Sequence, residues 1–304
     1  MATGAKTRVI WRIRDGRPGH DNQSGGLLRA LSASMDCNCH DLDAGLFKPF
    51  LLNYCLKRCP PGEPLDSPDL IIGAGHRTHL PLLIAGRARG GKTVVIMQPS
   101  LPLFLFDYCL IPQHDDPPDR KNIIPTEGAL NSIQPSGNHR DDVGLILIGG
   151  ASRHFYWHGE DVLDQIRALL AITNDVKWII TDSPRTPENT RSLLGEIKAD
   201  NATYMPFHQT GPGWMETQLA RAGQAWITQD SLSMIYESVT SGTATGLLTL
   251  PVKKQNKLTR SIAGLQEKYG VVLFDEWQAG KSLQKPAVVL NESERCARLL
   301  LHNL

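Results

Sequence analysis

The alternation of two kinds of segment constrains the fold of this chain more than any other feature. Short segments rich in Val and Ile alternate with longer segments that have helical periodicity, and turns of Gly, Pro and polar residues separate them. Strands that alternate with helices at this spacing predict βαβ units and parallel sheets. One of the short segments, Gly144–Ile148, is apolar throughout, as expected of a strand that helices cover on both faces.

The alternation stops once and then restarts. Residues 132–142 (SIQPSGNHRDD) are polar, contain Pro and Gly, and separate two halves of similar length. A length of 304 residues also fits two domains of ordinary size. The sequence therefore predicts an α/β protein with two Rossmann-like, doubly wound parallel-sheet domains, residues 1–137 and 138–304, that face a cleft.

Charge and hydropathy exclude several classes of protein. Lys and Arg number 32 against 31 for Asp and Glu, so nothing indicates a general nucleic-acid-binding surface, and no nucleic-acid partner is expected. No apolar run reaches the length of a transmembrane helix, and the first residues do not form an apolar leader. We therefore expect a cytoplasmic protein, for which peripheral contact with the inner face of the membrane stays open.

A phosphate-binding pattern occurs once, but in the wrong place. Gly86–Thr93 matches the G-x4-G-K-[ST] pattern. A P-loop joins a strand to a following helix, so that helix N–H groups meet the phosphates. Here a helical segment precedes the glycines and a strand follows them, which is the usual chemistry of a helix end. This order argues against a nucleotide hydrolase.

Two loops of the first half carry candidate acceptor-side residues. Strand ends in such folds collect ligand-contact residues, and these two loops contain Asp15, Gly16, Gly19, His20 and Gln23, then Gly75, His76 and Arg77. His20 is the candidate general base, because an imidazole can accept a proton near neutral pH, and Asp15 could orient it. A purely structural hydrogen bond by His20, and a plain tight turn at Gly75, remain alternatives.

Three loops of the second half form the other candidate site. They contain Gly149, Gly150, Ser152 and Arg153, then Thr181, Ser183 and Arg185, and finally Asp230, Ser231, Ser233, Met234 and Glu237. Each loop follows a predicted strand, so the three should converge at one sheet edge. Ser231 and Ser233 lie at a helix start, which favours an anion, although Ser231 or Asp230 could simply cap the helix. Arginines and hydroxyls suit a diphosphate and a carboxylate suits a ribose, so a nucleoside diphosphate is the predicted ligand.

The sequence also resembles a known family. The motifs that carry the resemblance are WRIRDGRPGHDNQ at residues 11–23, IIGAGHRTH at 71–79, MQP at 97–99 and DSLSMIYE at 230–237. They are similar to those of the Elm-type mitochondrial-fission family. Its plant members recruit the fission machinery at the mitochondrial surface, and its bacterial members are described as nucleotide-sugar glycosyltransferases or, loosely, as epimerases. The resemblance implies a GT-B fold that holds the sugar nucleotide in the second domain, with the last helix packed on the first.

The stretch from Asp230 to Glu237 is also similar to the second-domain motif of GT-B enzymes of the peptidoglycan and lipid A pathways. In those enzymes the helix start holds the diphosphate and a glutamate holds the ribose. The Gly19–His20 pair resembles the Gly-Gly-His loop of the peptidoglycan member, but Asp-Gly-Arg-Pro precedes Gly19 in this chain. That difference leaves the role of His20 open.

These observations lead to one expected function and two alternatives. The chain is expected to be a glycosyltransferase that uses a nucleotide-diphosphate sugar without a metal ion or a cofactor, with a lipid-linked or other glycan as acceptor in a pathway such as that of the cell envelope. The first alternative is a non-catalytic adaptor of the mitochondrial-fission type. The second is a nicotinamide-dependent epimerase, which the sequence disfavours because no tyrosine is followed four residues later by lysine.

Overall fold

The computed structural model describes residues 7–254 and 257–302. It divides into two compact units. Unit 1 contains the chain up to Ser132 and the segment from Glu292 onward, and unit 2 contains Ile133–Asn291. The division falls after Ser132, whereas the sequence places the domain boundary after residue 137.

Unit 1 is built around a parallel sheet with the strand order β2-β1-β3-β4-β5-β6. Its strands are β1 (Arg8–Arg14), β2 (Cys37–Asp43), β3 (Leu70–Ala74), β4 (Lys92–Ile96), β5 (Tyr108–Pro112) and β6 (Ile123–Thr126), and its first helices are α1 (Pro18–Ser34), α2 (Phe50–Cys55) and α3 (His79–Arg89). Successive residues of a strand point to opposite faces. Ile10 and Ile72 accordingly pack against α1, whereas Trp11 and Ile71 pack with the side chains of α3.

Unit 2 has a second parallel sheet, with the strand order β12-β11-β10-β7-β8-β9. Its strands are β7 (Arg140–Leu147), β8 (Lys177–Thr181), β9 (Ala202–Tyr204), β10 (Ala222–Thr228), β11 (Ala244–Leu248) and β12 (Val272–Leu273), and its helices are α4 (Gly159–Ile172), α5 (Glu188–Gly195), α6 (Trp214–Leu219), α7 (Leu232–Ser241), α8 (Lys257–Tyr269) and α9 (Phe274–Gln278). One continuous hydrophobic core joins this sheet to its helices. The predicted α/β class with two parallel-sheet, Rossmann-like units is therefore confirmed.

The last helix, α10 (Glu292–His302), packs on α1 of unit 1. It buries Cys296, Ala297 and Leu300 in the same core cluster as α1. Its first turn is also fixed by polar contacts, because the Ser293 hydroxyl donates to the carbonyl of Asn131 at 2.8 Å. Unit 1 therefore needs a segment that follows unit 2 in the sequence.

Helix α1 begins earlier than the sequence indicates. The sequence assigns Gly19 and His20 to a loop, whereas the structure starts the helix at Pro18. Proline is favoured at the first helical position because its fixed φ suits a helix and its missing N–H needs no partner. A Cβ on Gly26 would lie 2.0 Å from the carbonyl oxygen of Asn131, so close packing explains a glycine within this helix.

The P-loop-like pattern lies at the end of a helix, as the sequence indicates. Helix α3 ends at Arg89, Gly90 follows with φ +76°, and β4 begins at Lys92. This order excludes the P-loop arrangement. Within the described ranges, no helix combines the length and the apolar character that crossing a bilayer requires.

Candidate functional site

The three candidate loops of unit 2 meet at one sheet edge. They follow β7, β8 and β10, and the sheet order places β7 between the other two. Because parallel strands end at the same edge, the loops that follow neighbouring strands lie side by side. Hydrogen bonds join all three: Gly149 N–H donates to the Thr228 hydroxyl at 2.7 Å, and the Ser183 hydroxyl donates to the Gly149 carbonyl at 2.9 Å.

The Asp230 carboxylate lies at the centre of this edge, and its side chain is completely buried. One oxygen, Oδ2, accepts from Gly150 N–H at 3.0 Å and from the Arg185 guanidinium at 2.9 Å. The other oxygen, Oδ1, is buried and has no hydrogen-bond partner among the described residues. Burial raises the pKa of Asp230, although Gly150, Thr228 and Arg185 act in the opposite direction. A carboxylate with one unused oxygen can accept a hydrogen bond from a ligand hydroxyl.

The two glycines after β7 are required by packing within the protein. A Cβ on Gly149 would lie 2.4 Å from Asp230 Oδ2, and one on Gly150 would lie 2.1 Å from the Arg185 carbonyl oxygen. Any larger residue would therefore displace the carboxylate or the following loop. The sequence shows that two glycines follow this strand. The structure shows that contacts with Asp230 and Arg185, and not a ligand, require them.

The loop after β8 is held mainly by its own hydroxyl groups. Ser183 N–H donates to the Thr186 hydroxyl at 2.9 Å, and that hydroxyl also donates to the Gly149 carbonyl. Ser183 is therefore used to fix the loop. The Thr181 hydroxyl, by contrast, is buried and has no hydrogen-bond partner among the described residues. Thr186 was not singled out from the sequence, because its part in the loop depends on which carbonyl lies beside it.

The start of α7 has hydrogen-bond donors without an acceptor inside the helix. Ser231 occupies the capping position, yet its side chain makes no capping hydrogen bond, and the Asp230 carboxylate is engaged at Gly150 instead. The simple capping role is therefore wrong. Ile235 N–H bonds back to the Ser231 carbonyl at 3.1 Å, so the N–H groups before it belong to the first helical turn, which has no acceptor within the helix. Such N–H groups and the helix dipole favour an anion.

Glu237 lies one turn further along α7, where it is buried. The exposed Ser233 donates to Glu237 Oε1 at 3.3 Å. The predicted common face of Ser233 and Glu237 is thus present, and Met234 lies half-buried beside Ser233. A carboxylate on this face can accept hydrogen bonds from hydroxyl groups.

The loop after Gly150 contributes an exposed cation. Arg153 is exposed and forms no hydrogen bond or ion pair with any residue that the structure describes. The Ser152 hydroxyl accepts from the backbone N–H groups of His154 and Phe155, each at 3.2 Å. Lys253 donates to the Ser152 carbonyl at 2.9 Å and so helps to hold this loop in place. Lys253 had no signal in the sequence, because only the fold brings it here.

In unit 1 the structure pairs Asp15 with His20. Asp15 Oδ2 lies 2.9 Å from His20 Nδ1, and the Asp15 side chain is completely buried. The second carboxylate oxygen accepts from Arg17 N–H at 3.2 Å. The carboxylate therefore holds the imidazole by one nitrogen and leaves Nε2 as the nitrogen for other partners. This arrangement is suited to a general base.

Gly75 packs against the His20 ring. It has φ +81°, and a Cβ there would lie 2.2 Å from His20 Cε1. His76 and Arg77, together with Asp15, line a cavity of about 580 Å³ in unit 1. The fold thus brings Asp15 of the first loop to the same cavity as His76 and Arg77 of the second, and His20 to Gly75.

The remaining acceptor-side positions differ in their surroundings. Gln23 Nε2 lies 3.7 Å from Met97 Sδ. Gly16 has φ +75°, and at Gly16 and Gly19 a Cβ would have no atom of a described residue within 4 Å apart from neighbours in the chain. Met97 itself has φ +76°, which is uncommon for a residue with a side chain. The MQP motif was noted in the sequence, but nothing there indicates this backbone conformation.

Solved structures share the fold. The chain matches the structure of UDP-GlcNAc 2-epimerase from Neisseria meningitidis bound to UDP-GlcNAc with a TM-score of 0.55 and 12% identity, over 97% of this chain and 100% of that one. It matches Arabidopsis thaliana UGT89C1 complexed with UDP with a TM-score of 0.51 and 12% identity, over 97% and 89%. The likeness shows a GT-B-like fold of two Rossmann-like units.

The sequence comparisons identify the family. Uncharacterized protein RP120 of Rickettsia prowazekii (strain Madrid E) is 28% identical in an alignment 288 positions long, and the match covers 77% of this chain and 81% of the relative. The profile described as "Mitochondrial fission ELM1" matches residues 18–304. The chain therefore belongs to the mitochondrial fission ELM1 family.

Proposed function

We propose that this chain is a glycosyltransferase that binds a nucleotide-diphosphate sugar at the carboxyl edge of the unit 2 sheet. One observation carries the proposal: polar groups of three neighbouring loops converge there while several of them have no partner in the described structure. These groups are the start of α7 with the Ser231 hydroxyl, the exposed Arg153 and the unused oxygen of Asp230. Donors and acceptors left unmatched in this way favour a ligand that has both anionic and hydroxyl groups.

The diphosphate would bind at the start of α7. Ser231, Ser233 and the N–H groups of the first turn supply neutral donors, and Arg153 supplies a positive charge. Arg185 is already paired with Asp230, so its main role would be to neutralise that carboxylate beside an anion. The same donors would stabilise the diphosphate as it leaves, which is the work that a metal ion does in other transferases.

The ribose would bind one turn further along α7. Glu237 is four residues after Ser233, and the two side chains touch. A ligand whose diphosphate lies at the helix start would bring its ribose hydroxyls to this carboxylate. Asp230 Oδ1 would accept a further hydroxyl, from the ribose or from the sugar.

Sugar transfer also needs a base for the acceptor. We assign that role to His20, whose Nδ1 is held by Asp15. The acceptor oxygen would form the new bond to the anomeric carbon while the bond to the diphosphate breaks, and the acceptor proton would move to Nε2. A lipid-linked or other glycan alcohol fits this chemistry.

A second candidate is a UDP-sugar 2-epimerase. It is favoured by one observation, the likeness in fold to the Neisseria meningitidis 2-epimerase. The lack of a tyrosine–lysine pair speaks against nicotinamide-dependent epimerases, but it does not bear on an enzyme with the present fold. Family membership is equally compatible with a third role, a non-catalytic adaptor.

Calorimetric titration of the purified protein with a panel of nucleotide sugars tests the proposal. A transferase should bind one of them and consume it only when an acceptor alcohol is added. Conversion of the sugar without an acceptor would instead establish an epimerase. No binding across the panel would contradict both enzyme functions and leave the adaptor role.

A further inference from the structure

The short helix α2 of unit 1 has an unusual distribution of side chains. Leu51 and Leu52 are 78% and 54% exposed, and Leu56, just after the helix, is 52% exposed. On the opposite side Asn53 is buried, where its amide donates to the Phe47 carbonyl at 3.0 Å. An ordinary surface helix buries its apolar side chains and exposes its polar ones. In α2 the leucines are exposed and the polar Asn53 is buried, which is the opposite arrangement.

The exposed leucines form one continuous face. Each residue of a helix turns by about 100°, so residues 51, 52, 55 and 56 fall within an arc of about 140°. The exposed Cys55 lies inside this arc, and Leu46, in the turn before α2, is also exposed, at 61%. We call Leu46, Leu51, Leu52, Cys55 and Leu56 the α2 face. Exposed apolar side chains that cluster in this way mark a binding surface.

The charged residues of the segment that carries most of the α2 face have a single sign. The segment LFKPFLLNYCLKR, residues 46–58, contains Lys48, Lys57 and Arg58 and neither Asp nor Glu. All three cationic side chains are exposed. In a chain with 32 basic and 31 acidic residues overall, this segment differs clearly from the average surface. Leucines with basic residues around them are typical of segments that lie in the interface of an anionic membrane.

We propose that the α2 face binds peripherally to a membrane that contains anionic lipids. The leucines would enter the boundary between headgroups and acyl chains, and Lys48, Lys57 and Arg58 would contact the lipid phosphates. The three cations of the segment are the feature that favours a lipid surface over an apolar protein partner or a second copy of the chain. The proposal does not depend on sugar transfer.

The candidate cavity of unit 1 borders this surface. Lys48 and Phe50 belong to the segment 46–58 and also line the cavity. The exposed Leu80 of α3 lines the cavity as well. Binding through the α2 face would therefore bring the cavity entrance to the level of the lipid headgroups. A substrate with a lipid tail could then reach the exposed His76 and Arg77 without leaving the membrane.

Vesicle co-sedimentation of the full chain tests the proposal. We expect binding to vesicles of an equal mixture of phosphatidylglycerol and phosphatidylcholine, and much weaker binding to pure phosphatidylcholine. The double variant L51D/L52D should lower the partition coefficient at least about 10-fold, because it removes two inserting side chains. K57Q/R58Q should lower it by about 5-fold per charge. The matched control is V288D/V289D, which alters two valines of unit 2 that are 53% and 57% exposed.

Three results would overturn the proposal. They are a lack of binding by the unaltered protein, equal binding by L51D/L52D, and equal loss with the V288D/V289D control. Light scattering without vesicles adds a fourth: if the unaltered protein dimerises and L51D/L52D is monomeric, the face joins two copies. Should L51D/L52D fail to fold, the salt dependence of the unaltered protein decides the matter, because binding to anionic lipid must weaken as salt rises.

Discussion

At the scale of single residues, the proposed donor site depends on the difference between two arginines. Arg185 is committed to Asp230 inside the protein, whereas Arg153 is exposed and makes no contact of this kind with the described residues. Loss of Arg185 would leave a buried carboxylate with fewer donors, so it should lower stability as well as affinity. Loss of Arg153 should lower the affinity for the ligand without changing the stability of the protein.

We therefore predict that Arg153→Ala weakens nucleotide binding by about 1.5–3 kcal/mol, the range for a hydrogen bond to a charged group. The free energy of unfolding without ligand should stay the same within error. Calorimetry and denaturant unfolding measure the two quantities. Arg167→Ala is the control, since Arg167 is an exposed arginine of α4 that pairs with Asp164 at 2.9 Å. Unchanged nucleotide affinity in Arg153→Ala would remove Arg153 from the site.

Glu237 gives a second prediction, which concerns the ribose. Glu237→Gln should weaken binding of a ribonucleotide by about 10-fold or more and binding of its 2′,3′-dideoxy analogue much less, because only the former has the hydroxyls to lose. Paired titrations with the two nucleotides measure this difference. Glu267→Gln, at an exposed position on α8, is the control. Equal losses for both nucleotides would show that Glu237 does not contact the ribose.

His79 makes stability depend on pH. Burial lowers the pKa of His79 from 6.5 to about 4, and nearby His76 acts in the same direction. Between these two values the unfolded chain binds a proton that the folded protein excludes, so the contribution of His79 to stability is complete above pH 6.5 and is lost as the pH drops toward 4. The loss amounts to about 3 kcal/mol.

His79→Gln should remove most of that pH dependence. Unfolding by denaturant at several pH values between 4 and 7 measures it as the difference between the variant and the unaltered protein. The comparison is needed because burial also lowers the pKa of His139. His208→Gln, which removes an exposed imidazole, is the control. A slope that persists in His79→Gln would mean that other groups cause the acid sensitivity.

At the scale of secondary-structure elements, much of the fold could be predicted because strand signals are local. Strands β5, β6, β8 and β11 are short runs with Gly, Pro or polar residues on either side, which is the pattern that predicts a strand. Helix α1 was predicted too short, because a run with four glycines from Gly16 to Gly26 looks like a loop. Its helical state depends on packing against Asn131 and α10, which lie far away in the sequence.

The candidate sites show the same division between local and distant information. The sequence indicates that Asp230 and Arg185 follow strands, which places them at a sheet edge. It does not indicate that the two side chains pair with each other, because that contact depends on the order of strands in the sheet. For the same reason it did not indicate the outward leucines of α2, whose exposure depends on how Asn53 is anchored.

The turn after β3 allows a test of His20 through a neighbouring element. Gly75→Ala would place a Cβ 2.2 Å from the His20 ring, so the imidazole must move. We expect turnover of an identified substrate pair to fall by about 10²–10⁴-fold, as in His20→Ala, while donor affinity stays nearly constant. Steady-state kinetics with a separate titration of the donor measure both quantities.

Gly90→Ala is the matched control for this prediction. Gly75 and Gly90 have similar backbone angles, with φ of +81° and +76° and ψ of 159° and −160°. The two substitutions therefore cause similar backbone strain, about 1–3 kcal/mol. A Cβ on Gly90, unlike one on Gly75, has within 4 Å no atom of a described residue other than its neighbours in the chain. Equal turnover in the two variants would show that the position of the His20 ring does not matter for catalysis.

At the scale of the whole molecule, the two units differ in how the chain forms them. Unit 2 is one continuous segment, Ile133–Asn291, with a hydrophobic core of its own. Unit 1 combines two segments, because α10 supplies Cys296 and Leu300 to its core. A continuous segment with its own core can fold alone, whereas a unit that lacks a core helix should not.

The last prediction follows from this difference. A fragment of residues 133–291 should unfold cooperatively and bind the nucleotide part of the donor with the affinity of the full chain, because every residue assigned to the donor belongs to unit 2. A fragment of residues 1–132 should stay unfolded until a peptide of residues 292–304 restores α10. Circular dichroism and calorimetry measure folding and binding. A folded 133–291 fragment with more than about 10-fold weaker affinity, equal to 1.4 kcal/mol, would mean that residues outside unit 2 contribute to the nucleotide site.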